Sequence, residues 1–179
     1  MSASETPSPS SGSPFWRFSL RFYRQPEVAD ACIALQEKAG VDVNLLLFLL
    51  WHATQKRALS QADVAKLEQR IAPWRNMTVM PLRTMRRALK SPPTLVAGAS
   101  AELFRTKIKA VELEAERLQQ EAMHELASPS LLGVEMSSLE EAARANVAAY
   151  AATCGAAFPQ PAIETLLAAL AGRGRKPEE

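Results

Sequence analysis

The chain is short of the residues that most catalytic and metal sites are built from. It has two cysteines, Cys32 and Cys154, and two histidines, His52 and His124, all far apart or without metal-type neighbours. That is too few for a zinc site, so no metal is expected, and the two thiols read as reduced residues of a cytoplasmic protein. Aspartate stands only at Asp30, Asp42 and Asp63, which excludes the Asp-rich magnesium motifs of helical diphosphate enzymes. No glycine-rich phosphate loop is present, and Cys32 has no histidine near it in sequence to activate a nucleophile. No catalytic residues and no cofactor are therefore assigned. The longest apolar run, Leu45 to Trp51, is far short of the ~20 residues that span a bilayer, so no membrane partner is expected. Strand-type alternation is also missing.

What remains is helical periodicity, and it predicts an all-α fold. The expected form is an irregular bundle of about seven to eight helices with one long helix in the C-terminal half. Residues 1–14 and 172–179 read as disordered tails around a single helical domain, 15–171. A first helix over 15–24 puts Phe15, Phe18, Ser19 and Phe22 on one face and Arg17, Arg21 and Arg24 on another. Pro26 opens a second helix to Ala39, stopped by Gly40. Asp42 caps a third, Val43 to about Lys56, whose VNLLLFLLW is apolar nearly all round and so should lie at the centre.

Ser60 and Asp63 resemble a capping box opening a helix to about Ala72. Pro73 predicts a break or kink, and Pro81 a new helix to Lys90, ended by Pro92-Pro93. A long helix over 99–127 carries Phe104, Ile108, Val111, Ala115, Leu118 and Ala122 at heptad-like spacing, suited to packing lengthwise on another helix. A loop over 128–133 and helices over 138–154 and 159–171 complete the chain. The half from 15 to 90 is dense in aromatics and arginine. The half from 99 to 171 is alanine-rich and has no tryptophan.

The net charge of +2 makes no global case for nucleic acid. Locally the balance is uneven. Residues 60–90 hold seven basic side chains and two acidic ones. Arg83, Arg86, Arg87 and Lys90 share a helix face, with Arg75 upstream, and arginine suits bidentate contact with phosphate or carboxylate. These five residues are one candidate anion- or partner-binding site. The competing reading pairs them inside the molecule with the glutamates of the long helix, Glu102, Glu112, Glu114, Glu116, Glu121 and Glu125. A second candidate is a polar pocket at the head of the central helix, made by Gln36, Asp42 and Asn44 with Trp16 and Trp74. The alternative for these is local: Asp42 caps the helix and Asn44 bonds nearby backbone.

From Phe15 to Lys90 the chain resembles a family of uncharacterised bacterial, mainly proteobacterial, helical proteins. The resemblance rests on Trp16-x-Phe18, Tyr23, Cys32, Leu35-Gln36, Gly40 to Asn44, Leu49-x-Trp51, Trp74-Arg75, Pro81-Leu82-Arg83 and Arg86-Arg87-x-Leu89-Lys90. It implies a bacterial helical protein and supplies no activity. It places the arginine stripe and the Asp42-Asn44 turn inside the family's signature. The leading functional expectation is a non-catalytic interaction, adaptor or regulatory protein with a protein partner. Binding or turnover of an anionic small molecule at the arginines is the second, and nonspecific nucleic-acid binding the third.

Overall fold

A computed structural model of the chain describes residues 12–127 and 132–172. Among the described residues the helices are α1 (Pro14–Tyr23), α2 (Val28–Ala39), α3 (Val43–Thr54), α4 (Gln61–Trp74), α5 (Met80–Ala88), α6 (Gly98–Ala127), α7 (Leu139–Cys154) and α8 (Gln160–Leu170). A π-helical segment, Arg75–Val79, joins α4 to α5. The fold is an all-α multi-helix bundle with one long helix, as the periodicity predicts.

Local chemistry sets the ends. Ser13 caps α1 by accepting the Trp16 N–H, and Asp42, Ser60 and Ser138 cap α3, α4 and α7. Ser60 and Asp63 form the reciprocal capping box. Gly40 ends α2 in the left-handed conformation. The central position of α3 follows from its composition: every residue from Leu45 to Leu50 is buried. It packs chiefly on α7, where Ala142 and Ala143 let the two backbones approach, while α2 packs on α8 and α5 on α6. The alanine-rich half thus covers the aromatic-rich one.

Several elements differ from expectation. The second helix starts at Val28, because Glu27 takes a left-handed φ of 63° that a helix cannot include. The third ends at Thr54, shortly before Lys56 turns left-handed at φ 55°. Pro73 does not break its helix. The backbone runs through it and loosens afterwards: the Met80 N–H donates to the Arg75 carbonyl, five residues back, and the Thr78 hydroxyl takes the Trp74 carbonyl at 2.6 Å. The long-helix seam is only half an inner seam. Ala115 is buried and Ile108 half-buried, but Phe104, Val111, Leu118 and Ala122 face solvent. Glu112 and Gln119 hold inward positions instead. Of residues 12–14, expected in a tail, Ser13 caps α1 and Pro14 is its first residue. Residues 1–11, 128–131 and 173–179 of the expected tails and loop lie outside the described residues.

Two two-residue strands, β1 (Arg57–Ala58) and β2 (Val134–Glu135), pair antiparallel, Arg57 with Glu135 and Ala58 with Val134. They are too short to show alternation. Gly133 makes the approach possible: at φ +76° a Cβ there would clash with the Ala58 carbonyl. Asn146 of α7, fully buried, fixes the same corner. Its Nδ2 donates to the carbonyls of Leu49 (2.9 Å) and Arg57 (3.0 Å), and its Oδ1 accepts the Leu59 N–H at 2.6 Å. Asn146→Ala removes three hydrogen bonds to backbone groups, two of them buried, and leaves the Leu59 N–H and the Arg57 carbonyl without their side-chain partner. It is expected to cost about 3 kcal/mol in a urea titration, in line with ~1–3 kcal/mol per orphaned group after relaxation. A loss below about 0.5 kcal/mol would show that water replaces the amide there.

Candidate functional site

The signature residues converge on the seam between the head of α3, the α4–α5 segment and α6. Asp42 is the first node. Its Oδ1 accepts the N–H groups of Asn44 (2.8 Å) and Leu45 (3.4 Å), which caps α3. Its Oδ2 accepts from Arg75 Nη1 (3.2 Å) and Gln119 Nε2 (3.0 Å). Its own N–H donates to Tyr150 Oη at 2.9 Å. Arg75 also forks onto Glu68, with Nη1 at 3.0 Å and Nη2 at 2.6 Å from its two oxygens. Those bonds hold the guanidinium above its ordinary pKa despite partial burial, and Asp42 adds to the effect. Burial pushes the Tyr150 hydroxyl up, so it stays protonated.

The second node is Glu112, an acid on the inner face of α6 with a side chain only 7% exposed. Arg83 Nε donates to its Oε1 at 3.1 Å, Arg86 Nη2 to the same oxygen at 3.1 Å, and Arg86 Nε to Oε2. Arg83 also reaches Glu116 Oε1 (2.6 Å) and Gln36 Oε1 (2.9 Å). Burial acts to raise the Glu112 carboxyl, but the hydrogen bonds and charges of Arg86 and Arg83 outweigh it and hold it below the ordinary 4.5.

The structure therefore divides the arginine stripe. Arg75, Arg83 and Arg86 turn inward onto carboxylates, and an anion reaching them would compete with Glu68, Asp42, Glu112 and Glu116. Arg87 and Lys90 are exposed, and their side chains make no ion pair among the described residues. The competing acids divide too. Glu102 and Glu114 pair with Arg105 and Arg117 on their own helix, and Glu121 accepts the Ser13 N–H at 3.0 Å.

The second candidate set is only partly gathered. Gln36 and Asp42 each bind an arginine of the cluster. Asn44 turns to α6, not to nearby backbone, where its Oδ1 accepts from Gln120 Nε2 at 2.7 Å. Trp74 donates its indole N–H to the Ala115 carbonyl at 3.0 Å. Trp16 is buried on α1 and joins no bond of this network. His52 is a buried residue of α3 itself, against the rings of Phe48 and Trp51, with neither nitrogen bonded among the described residues, and burial lowers it to about 4. Sequence reasoning does not single out Glu68, Gln119, Gln120 or Tyr150. Their partners lie 76 to 108 residues away or, for Glu68, seven residues on at the start of the π segment, and no short motif signals them.

Beside the polar seam lies an apolar cavity of about 370 Å³ between α4 and α6, lined by Ile71, Trp74, Leu118, Ala122, Met123 and Leu126 among others. Among the described residues no group of three or more His, Cys, Asp or Glu side chains is arranged to hold a metal ion.

Glu112→Gln leaves two guanidinium groups facing a neutral amide. It is expected to cost about 2 kcal/mol, less than the ~3–5 of a fully buried pair because both arginines keep a solvent edge. A carboxyl depressed in the folded state lends stability that is present above its unfolded pKa and lost as pH falls through the lower folded value. The gap between wild type and variant should therefore close as pH drops below 4.5. Urea titrations at pH 7 and pH 3 check this, and an equal gap at both would contradict it.

No curated protein and no solved structure matches the chain. A family model matches residues 14–123, a span that holds every residue of the charged cluster except Tyr150. The chain belongs to the family described as protein of unknown function (DUF2390).

Proposed function

We propose that this is a non-catalytic helical interaction protein that offers α5 to an acidic segment of a protein partner. One observation carries the reading: α5 has no buried residue. The helix is held down from one side, by Arg83 and Arg86 on the acids of α6. Around those two anchors Met80, Met85 and Arg87 are exposed, with Met77 before them and Lys90 after. Methionine is polarizable and adaptable and recurs on binding surfaces. Exposed apolar side chains rimmed by unpaired cations fit the apolar face of an amphipathic acidic helix. The rim charges would speed and orient docking, and the methionines would supply the buried area.

In this reading the signature arginines have two jobs. Arg75, Arg83 and Arg86 shape the surface, and Arg87 with Lys90 contacts the partner. The setting is the cytoplasm of a bacterium. Cys32 is buried, where its thiol is pushed up to about 12 and is inert, and Cys154 is not bridged to it.

The test is affinity capture from nuclease-treated lysate, comparing wild type with Arg87→Glu/Lys90→Glu and with Met80→Asp/Met85→Asp. Both pairs lie outside the inward network, so both variants should keep the wild-type melting temperature. Capture of one protein by wild type, lost in both variants and weakened by salt, is the expected result. Capture unchanged in both, or a complex that nuclease destroys, would overturn the reading.

A further inference from the structure

The flank of α6 that points away from the polar seam repeats an apolar residue every seven positions. Phe104, Val111 and Leu118 are 49%, 53% and 44% exposed. Seven residues fall only ~20° short of two full turns, so the three lie on one nearly straight stripe about 21 Å long. The stripe runs into the apolar cavity, since Leu118 belongs to both and its neighbour Ala122 lines the cavity as well.

We propose that the occupant of this stripe is a second copy of the chain, paired antiparallel along α6 about a twofold axis at Val111. Three features of the chain lead to that partner. In this register Val111 meets Val111, and Phe104 of each copy meets Leu118 of the other. Phe104 then lies at the lip of the other copy's cavity, between Leu118 and Ala122, and a ring there removes apolar surface from water on both sides. The contact is self-complementary, as a twofold interface requires: one stripe supplies both the aromatic knob and the apolar recess. The charges select the direction. Lys107 and Glu114 share the exposed flank, and Glu114, 48% exposed, has room for a second cation beside the Arg117 of its own helix. Antiparallel pairing sets Lys107 of one copy beside Glu114 of the other, whereas parallel pairing sets lysine on lysine and glutamate on glutamate. The exposed methionines of α5 are not used, so the contact is additional to the partner surface proposed above.

Sedimentation velocity of the full chain over a dilution series tests the pairing. The expected result is a dimer that dissociates on dilution. Val111→Glu and Leu118→Glu should each shift the dissociation constant upward at least tenfold with the helical circular dichroism unchanged. Orientation is read in a Cys154→Ser background. Mixed Phe104→Cys and Leu118→Cys proteins should form a disulfide with each other under mild oxidant, and Phe104→Cys alone should not. A chain that stays monomeric throughout the series overturns the proposal, as does a dimer untouched by both glutamates. Ready crosslinking of Phe104→Cys to itself overturns the antiparallel arrangement. None of these outcomes bears on lysate capture through Arg87 and Lys90, so the two proposals fail separately.

Discussion

The carboxylate of Asp42 is the constraint on which the rest of the arrangement depends. All four of its lone-pair positions are taken, two by the first turn of α3 and two by Arg75 and Gln119. Its backbone N–H is taken by Tyr150. One residue thus ties the most buried helix to the π-helical segment, to α6 and to α7. A buried ion is costly unless its partners satisfy it fully, and here they do. Such a set of bonds specifies position more than it adds stability: α3 has one depth at which its cap, Arg75 and Tyr150 all reach Asp42.

The wide turn at Arg75–Val79 belongs to the same device. It comes directly after Trp74, whose indole is fixed to the Ala115 carbonyl. The extra residue in the turn rotates α5 about its axis, so that Arg83 and Arg86 both reach Glu112 on the facing helix. Arginine suits these positions because its planar fork meets a carboxylate through two donors and keeps its charge when partly buried. A lysine at Arg75 could not bridge Asp42 and Glu68 with the same geometry. The outcome is an α5 helix anchored by charge instead of by apolar burial, which leaves its apolar side chains outside.

Much of this architecture is legible locally. Asp42 as a cap, the Ser60–Asp63 box, Gly40 as a stop and the centrality of the Leu45–Trp51 run all come from residues within a few positions of one another. The failures share a cause. Pro73 reads as a break because its missing N–H is visible, whereas the structure carries the helix through it to Trp74 and widens only afterwards. The α6 seam reads as one face suited to packing on another helix, because Phe104, Val111 and Leu118 have the right spacing, and the spacing does not say which of its members the bundle covers. Which flank of a helix faces its neighbours is decided by those neighbours, and here Glu112 and Gln119 win the inner positions through Arg83, Arg86 and Asp42. The arginine stripe and the glutamates of α6 are both visible in sequence, and internal pairing is one of the two readings they allow. The choice of Glu112 and Glu116 over Glu102 and Glu114 needs the packing of α5 on α6. Asn146 and Tyr150 act across more than 80 residues and carry no sequence signal.

The inward charges of the signature act as one structural unit. A double-mutant cycle on Asp42→Asn and Arg75→Gln, with stabilities from urea titration, tests it most directly. A coupling of about 1 kcal/mol or more is expected, with the double variant losing clearly less than the two single losses added together. Additive losses, with coupling near zero, would show that Asp42 caps α3 independently of Arg75 and would contradict it.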